Sequence, residues 1–331
     1  MARTPTVEGM ERLKGKNILV TGGTGFVGSH LVEALLKEGA RVIVPYRSSD
    51  PRSYFATQKL GGKVIMAVCD LKDFHRVCEV VTKYEIEYIF HLAAQAIVTT
   101  AYYDPVETIA SNVLGTTHVL EAARLYPTIK GVLVASSDKA YGKNNRAYRE
   151  DDALRGTHPY EVSKAAADMA ALAYFHTYSL PVVVTRFGNI YGPGDLNFNR
   201  IVPGIMKTIL TREPLMLRSD GTYKRDYVYV EDVVSAYLFL LQHISVAKGQ
   251  AFNISSDTNL GVVELIKKTE SILSKKIAYV IQNSAINEIP YQHLEYGKIK
   301  KLGWRPHVYV RTGLRQTYSW YRKFLSSQPG Y

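Results

Sequence analysis

The sequence predicts an α/β fold: a doubly wound parallel sheet with a smaller C-terminal lobe. Three observations predict it. Short apolar runs recur without polar alternation, helix-length segments separate them, and the first run leads directly into the glycine-rich turn TGGTGFVGSH (21–30). Strands buried on both faces read as continuous apolar runs, and helical crossovers between them produce a parallel sheet covered on both sides.

In chain order, KNILVTGG (16–23) reads as the first strand and SHLVEALLKEG (29–39) as a helix closed by glycine. RVIVPY (41–46) and KVIMAVCD (63–70) are the second and third strands, and a helix over about 72–84 leads to YIFHLAA (88–94). A helix over about 105–126 precedes the strand GVLVASS (131–137). The helix over 159–178 opens with Pro159 in its first turn, and PVVVTRFG (181–188) is the sixth strand. Beyond Gly188 the rhythm breaks, and 227–242 and 251–256 read as a helix and a strand that return to the main sheet. This predicts a dinucleotide-binding Rossmann domain over 15–187 with returning segments at about 227–256. A substrate lobe takes 188–226 and 257–331. No internal repeat or low-complexity tract interrupts it.

Composition excludes several classes. With 331 residues, 46% apolar and 21% charged, the chain is globular rather than disordered. No apolar run has the length of a membrane span, and the polar N-terminus MARTPTVEGMERLKGK has no signal-peptide core, so no membrane partner is expected. Cys69 and Cys78 form neither a metal spacing nor a disulfide framework; a cytoplasmic, metal-free protein is expected. The net charge of +11 is scattered rather than striped with aromatics. That argues against nucleic acid and suits an anionic cofactor and substrate.

Gly22, Gly25 and Gly28 lie between the first strand and first helix. There the backbone must turn tightly, approach a pyrophosphate closely and present helix N-terminal amides to it, those of Phe26 and Val27 among them. The second strand ends in Tyr46, Arg47, Ser48 and Ser49, without the carboxylate that would hold the ribose of NAD. Arg47 and Ser48 suit a 2′-phosphate, hence NADP, with NAD the alternative if Arg47 is only a solvated loop residue. Asp70 and Leu71 end the third strand near the adenine edge, and Ala93 and Ala94 leave room for the cofactor backbone. His91 sits in an apolar run and reads as a core histidine.

Tyr160 and Lys164, four apart on one helix, project from the same face. A phenol has a pKa of about 10. A neighbouring ammonium and an oxidised nicotinamide lower it, so that Tyr160 takes a proton from a substrate hydroxyl as hydride leaves the same carbon. Ser137 is placed to hydrogen-bond that hydroxyl. Asp138 and Lys139 follow directly, either as a surface ion pair or as an acid and a base facing the substrate.

TGGTGFVGSH, HLAAQ, NVLGT (112–116), the Ser137/Tyr160/Lys164 set, RFGNIYGPGD and RDYVYVED together resemble the extended short-chain dehydrogenase/reductases of the nucleotide-sugar epimerase/dehydratase family. The resemblance runs from about Gly15 to Trp304. HLAAQAIVTTAYYDPVETIASNVLGT and SSDKAYG are most similar to CDP-glucose 4,6-dehydratases, whereas KNNRAYREDDALRG and Tyr141-Gly142 are similar to epimerases. The dTDP-glucose 4,6-dehydratases carry Asp-Glu where this chain has Asp138-Lys139. The resemblance implies a 4,6-dehydratase, with Lys139 as C5 base and Asp138 as acid for the departing C6 hydroxyl, or else a 4-epimerase. A non-catalytic NAD(P)-sensing protein is the reading of another class. The family resemblance further implies a nucleotide-diphosphate sugar held by Gln95, Asn189, Arg225, Arg200 and Arg218, and a homodimer formed through the helices at 105–126 and 159–178. The alanines Ala165, Ala166, Ala167, Ala170 and Ala171 serve that dimer or packing on the sheet.

Overall fold

A computed structural model of the chain describes residues 13–284 and 288–327. The polar stretch up to residue 12, and the last residues of the expected C-terminal lobe, lie outside the described residues. Among those described, the strands are β1 (Asn17–Thr21), β2 (Arg41–Tyr46), β3 (Ile65–Val68), β4 (Tyr88–His91), β5 (Gly131–Ala135), β6 (Val182–Phe187), β7 (Asn189–Tyr191), β8 (Leu215–Leu217), β9 (Lys224–Tyr229), β10 (Gln250–Ile254), β11 (Asn259–Gly261) and β12 (Tyr279–Ile281). The main helices are α1 (Phe26–Lys37), α2 (Phe74–Lys83), α3 (Pro105–Ile109), α4 (Gly115–Leu125), α5 (Pro159–Tyr178), α6 (Ile201–Thr211), α7 (Val230–Gln242), α8 (Val262–Leu273) and α9 (Val310–Ser326).

The chain divides into two compact units. The first comprises residues up to Gly142, Glu150–Arg186 and Val234–Phe252. Its sheet has the order β10-β6-β5-β4-β1-β2-β3, and the neighbouring strands from β3 through β6 pair in parallel. The order reverses at β1, so the crevice beyond the carboxyl ends of β1 and β4 is where an α/β sheet of this kind takes a ligand. Strand side chains alternate between two buried faces. On one, Leu19, Ile43, Ile89, Val132, Val134, Val182 and Val184 meet the apolar stripes of α2 and α4, with Val77, Val80, Val81, Val119 and Leu120. Ala171 of α5 joins this core, and Ala165 and Ala167 are buried too, so these three alanines serve packing. On the other face, Tyr237 of α7 packs edge-on to Phe90.

The second unit comprises Lys143–Arg149, Phe187–Val233 and the chain from Asn253 onward. It holds a three-stranded sheet β11-β9-β7 and a parallel pair β12-β8. Here the structure corrects the expected helix over 227–242: Lys224–Tyr229 is a strand, and the helix starts at Val230. Tyr-Val-Tyr has the aromatic and β-branched character of a strand and pairs with β7, while Lys224–Asp226 of the same strand pairs with β11. Residues 227–233 accordingly group with the second unit. The helix expected over 105–126 is also interrupted: a π turn at Ala110–Leu114 separates α3 from α4.

Candidate active site

The glycine-rich turn is built by steric necessity. Gly22 has φ +71°, and a Cβ there would lie 2.8 Å from the Ala93 nitrogen at the end of β4. A Cβ on Gly28 would lie 2.0 Å from the Gly22 carbonyl oxygen, so α1 can approach the turn only because residue 28 has no side chain. Gly25 caps α1 without a side-chain hydrogen bond. The first-turn amides at Phe26 and Val27 therefore have no capping side chain over them and suit a pyrophosphate.

Beneath the turn runs a buried polar chain. His91 Nδ1 is 2.7 Å from Thr21 Oγ1 and its Nε2 is 2.8 Å from Thr116 Oγ1. Burial, with Lys164 adding to it, pushes His91 down to about 3, so the ring is neutral. Both ring nitrogens are engaged, which makes His91 a brace between β4, β1 and α4. Thr21 Oγ1 also accepts from the Ala93 N–H at 3.2 Å, which holds the Ala93-Ala94 stretch beside the turn. The Gln95 carboxamide folds back on its own loop, donating to the Ile97 carbonyl and Thr108 Oγ1 and accepting from the Ile97 N–H.

At the ends of β2 and β3 the charged residues converge. Arg47 Nη1 lies 3.5 Å from Asp70 Oδ2 and 3.3 Å from Glu107 Oε1. Lys72 Nζ donates to Glu107 at 3.0 and 2.7 Å, and Asp70 Oδ1 accepts from the Lys72 N–H. Ser48 is exposed beside them, and Leu71 packs against Gly115 of α4.

Ser137 caps a short 3₁₀ turn, Asp138–Tyr141, by accepting the Lys139 N–H at 3.2 Å. Its hydroxyl donates to Asp138 Oδ1 at 3.1 Å. Asp138 is only 3% exposed, while Lys139 is half-buried. Helix α5 packs on this turn. Its start is fixed by Pro159 and a capping box of His158 and Glu161, which places Tyr160 and Lys164 one turn apart, both buried. Lys164 Nζ donates to the Ala135 carbonyl at 2.8 Å, two residues before Ser137. Ser137, Tyr160 and Lys164 thus belong to one corner of the first unit. Burial lowers Lys164 to about 8, against an upward pull from Asp168 one turn further on.

Three supporting elements do not stand out in the sequence. Asp168 and Arg186 form a buried two-pronged pair, Nε to Oδ2 at 2.8 Å and Nη2 to Oδ1 at 2.9 Å. Arg186 Nη1 also donates to Tyr141 Oη at 2.7 Å, which ties the far end of the Asp138–Tyr141 turn to β6. Asn112, in the π turn, clasps Gln95 through its backbone N–H and carbonyl and donates to Ser163 Oγ, which in turn donates to the Tyr160 carbonyl. Glu107 is the third. The i, i+4 spacing of Asp168 from Lys164 and the place of Asn112 in NVLGT are the available sequence signals; Glu107 has none.

Asn189, Arg200, Arg218 and Arg225 all lie in the second unit. Arg200 is engaged by Asp195 Oδ2 at 2.7 Å and the Ile190 carbonyl at 2.9 Å, so it holds the 190–200 loop. Arg218 is exposed, 3.8 Å from Glu288. Arg225 is nearly buried, donates to the Lys224 carbonyl, and lies in β9 directly before Asp226. Asp226 is a buried hub that accepts from Ser255, Asn259, His293 and the Leu294 N–H. That anchors the strand carrying Arg225. Asn189 begins β7, paired in register with Tyr227.

The model of the NAD dependent epimerase/dehydratase family matches residues 18–255, from β1 through β10. The chain belongs to that family. It is an enzyme of the family and uses a nicotinamide dinucleotide. Salmonella typhimurium CDP-glucose 4,6-dehydratase is 28% identical over 340 residues, covering 95% of this chain and 93% of the relative. The UDP-glucose 4-epimerase of Thermotoga maritima, solved with UDP-glucose, has a TM-score of 0.84 at 31% identity and covers 93% of this chain and 99% of its own. The Bacillus anthracis dTDP-glucose 4,6-dehydratase, solved with NAD, has a TM-score of 0.81 at 29% identity over 93% and 97%. A trifunctional UDP-glucose 4,6-dehydratase of Arabidopsis thaliana is 30% identical over 94% of this chain, which spans about half of that longer protein, 48%. Among the described residues no helix is long and apolar enough to cross a membrane, and no group of acidic, histidine or cysteine side chains could hold a metal ion.

Proposed function

We propose that the chain is a nucleotide-sugar 4,6-dehydratase that converts an NDP-hexose to its 4-keto-6-deoxy product. One observation carries the choice. Asp138 is 3% exposed and takes a hydrogen bond from Ser137, so it belongs with the catalytic serine rather than to a solvated surface pair.

When bound, the dinucleotide supplies a hydride acceptor and later a hydride donor. Tyr160, as phenolate, removes the C4 hydroxyl proton. The Lys164 ammonium stabilises that phenolate, and Ser137 hydrogen-bonds the C4 oxygen. The 4-keto group acidifies the C5 hydrogen. Lys139, unprotonated, takes that proton while Asp138, protonated, gives one to the C6 hydroxyl, and water leaves. The two hold one proton between them before and after the elimination. As C6 is reduced, Lys139 returns its proton to C5, and the proton that Tyr160 took from the C4 hydroxyl passes by way of solvent to Asp138, which resets all three. Asn189 and Arg225 are the residues we assign to the sugar nucleotide, with the second unit as its lobe and the first as the dinucleotide domain.

The second reading is an NDP-sugar 4-epimerase, favoured by the likeness to the Thermotoga maritima enzyme. It uses Ser137, Tyr160 and Lys164 and leaves Asp138 and Lys139 without a chemical task. Incubation with CDP-, UDP- and dTDP-glucose, UDP-N-acetylglucosamine and GDP-mannose separates the two. A product lighter by one water and bearing a C6 methyl is expected; an isobaric C4 epimer would overturn the dehydratase reading. Asp138→Asn and Lys139→Met should keep reversible C4 oxidation and lose water elimination.

The expectation of NADP rests on Arg47 being available to a phosphate. With two carboxylates beside that guanidinium, we read NAD as the working cofactor. We further assign a homodimer through α4 and α5, on whose faces Leu125, Val162 and Met169 are exposed. A cytoplasmic site suits the two free cysteines.

A further inference from the structure

Arg47, Asp70, Lys72 and Glu107 form a closed ring of alternating charge at the carboxyl ends of β2 and β3, where a sheet of this order receives the adenosine ribose. Three of the four come from those strand ends, but Glu107 reaches in from α3. Its carboxylate is the most heavily bonded of the set. It accepts from Lys72 Nζ at 3.0 and 2.7 Å, from Ser111 Oγ at 2.9 Å and from Arg47 Nη1 at 3.3 Å. The Lys72 hydrogen bond first, then that of Ser111, holds the carboxyl down at about 2, so the ring contains a full negative charge at any working pH.

The chemistry of the two dinucleotides differs only at the ribose 2′ position. A 2′-hydroxyl is a hydrogen-bond donor and needs an acceptor. A 2′-phosphate carries up to two negative charges and needs cations. The two cations here are balanced by two carboxylates, so the ring offers acceptors and no net positive charge. We propose that Glu107 is the residue that sets cofactor choice, holding Arg47 and Lys72 away from a 2′-phosphate so that the chain selects NAD. Without that carboxylate the same Arg47, Ser48, Ser49 and Lys72 surface is an NADP site. This rests on the reading of the first unit as a nicotinamide-dinucleotide site and adds the residue that discriminates within it.

The test is direct titration of NADH and NADPH into wild type and Glu107→Gln, with Glu107→Ala as a second variant. Wild type should bind NADH more tightly. In Glu107→Gln the ratio of the NADPH to the NADH dissociation constant should fall about tenfold, the order expected for removing one charge near a doubly charged phosphate. NADH affinity should move less than about threefold, as for loss of an exposed pair. Adding Arg47→Ala to Glu107→Gln should abolish the gain, and raising the salt should shrink it. An unchanged ratio in both Glu107 variants, or a wild type that already prefers NADPH, overturns the proposal while leaving the dinucleotide site standing. Failure of wild type to bind either nucleotide overturns both.

Discussion

Replacing Lys164 by methionine should alter the pH dependence of stability in a calculable way. Lys164 is 7% exposed and its ammonium is lowered to about 8 from the ordinary lysine value near 10.5. The unfolded chain therefore holds a proton at this residue over a pH range in which the folded chain has released it. Stability rises with pH wherever the unfolded state binds more protons. Between pH 8 and pH 10 the wild-type protein should gain about 2–3 kcal/mol from this residue, at ~1.4 kcal/mol for each pH unit. The sign is opposite to that of a lysine held in an ion pair, because burial and not attraction dominates here. Lys164→Met removes the titration along with the hydrogen bond to Ala135, and methionine fills much of the volume. The assay is urea unfolding of both proteins at half-unit steps from pH 7 to 10. The stability of Lys164→Met minus that of wild type should fall steadily as pH rises. Buried tyrosines such as Tyr141 and Tyr191, raised by burial, destabilise both proteins equally at the alkaline end and cancel in that difference. Parallel curves would mean that burial does not lower Lys164 and would refute this pH argument, while leaving its ammonium available to Tyr160.

Tyr160→Phe should abolish C4 oxidation, followed as formation of bound reduced cofactor by absorbance, and dehydration with it; survival of either would exclude the phenol as the C4 base. Asp168→Asn should cost about 3–5 kcal/mol by leaving Arg186 buried beside a neutral partner, and Asp168→Leu with Arg186→Met should recover much of that in urea unfolding. A cost under ~1 kcal/mol, the range of an exposed pair, would mean that the pair is solvated in solution. Val162→Asp with Met169→Glu should convert a dimer to monomers in light scattering, and an unchanged mass would move the interface elsewhere.

What could be read from the sequence follows the range of the forces involved. Gly22 and Gly28 were legible because a backbone turn and a close helix approach exclude any side chain locally. Tyr160 and Lys164 were legible because one helical turn separates them and a capped helix start fixes their face. Glu107 was not, since its partners Arg47 and Lys72 lie 60 and 35 residues away and meet it only once β2, β3 and α3 are assembled. Arg186 is 18 residues from Asp168 and 45 from Tyr141, and nothing local marks it as more than another strand residue. The stretch 227–229 misled for a different reason: Tyr-Val-Tyr-Val runs straight into a helix without a turn residue, so no punctuation marks the change of period. Arg200 holds the 190–200 loop through Asp195 and the Ile190 carbonyl, a contact that its charge alone does not reveal.

The π turn at Ala110–Leu114 lets its helix carry one residue more than a regular α-helix would between two fixed contacts. Glu107 lies before it, facing Lys72, and Gly115 after it, packed on Leu71, while within the turn Ser111 bonds Glu107 and Asn112 turns toward Ser163. One residue subtends about 100° of an α-helix. Eight residues of regular helix would set Gly115 about 80° round from Glu107, whereas a turn that absorbs one of them keeps both on the face toward Lys72 and Leu71. Deleting Val113 should therefore leave a continuous α-helix that keeps both contacts, whereas inserting a further residue should swing the halves by about 100° and lose one of them. An alignment gap of one residue within these five positions would thus mark a regular helix with the same two contacts.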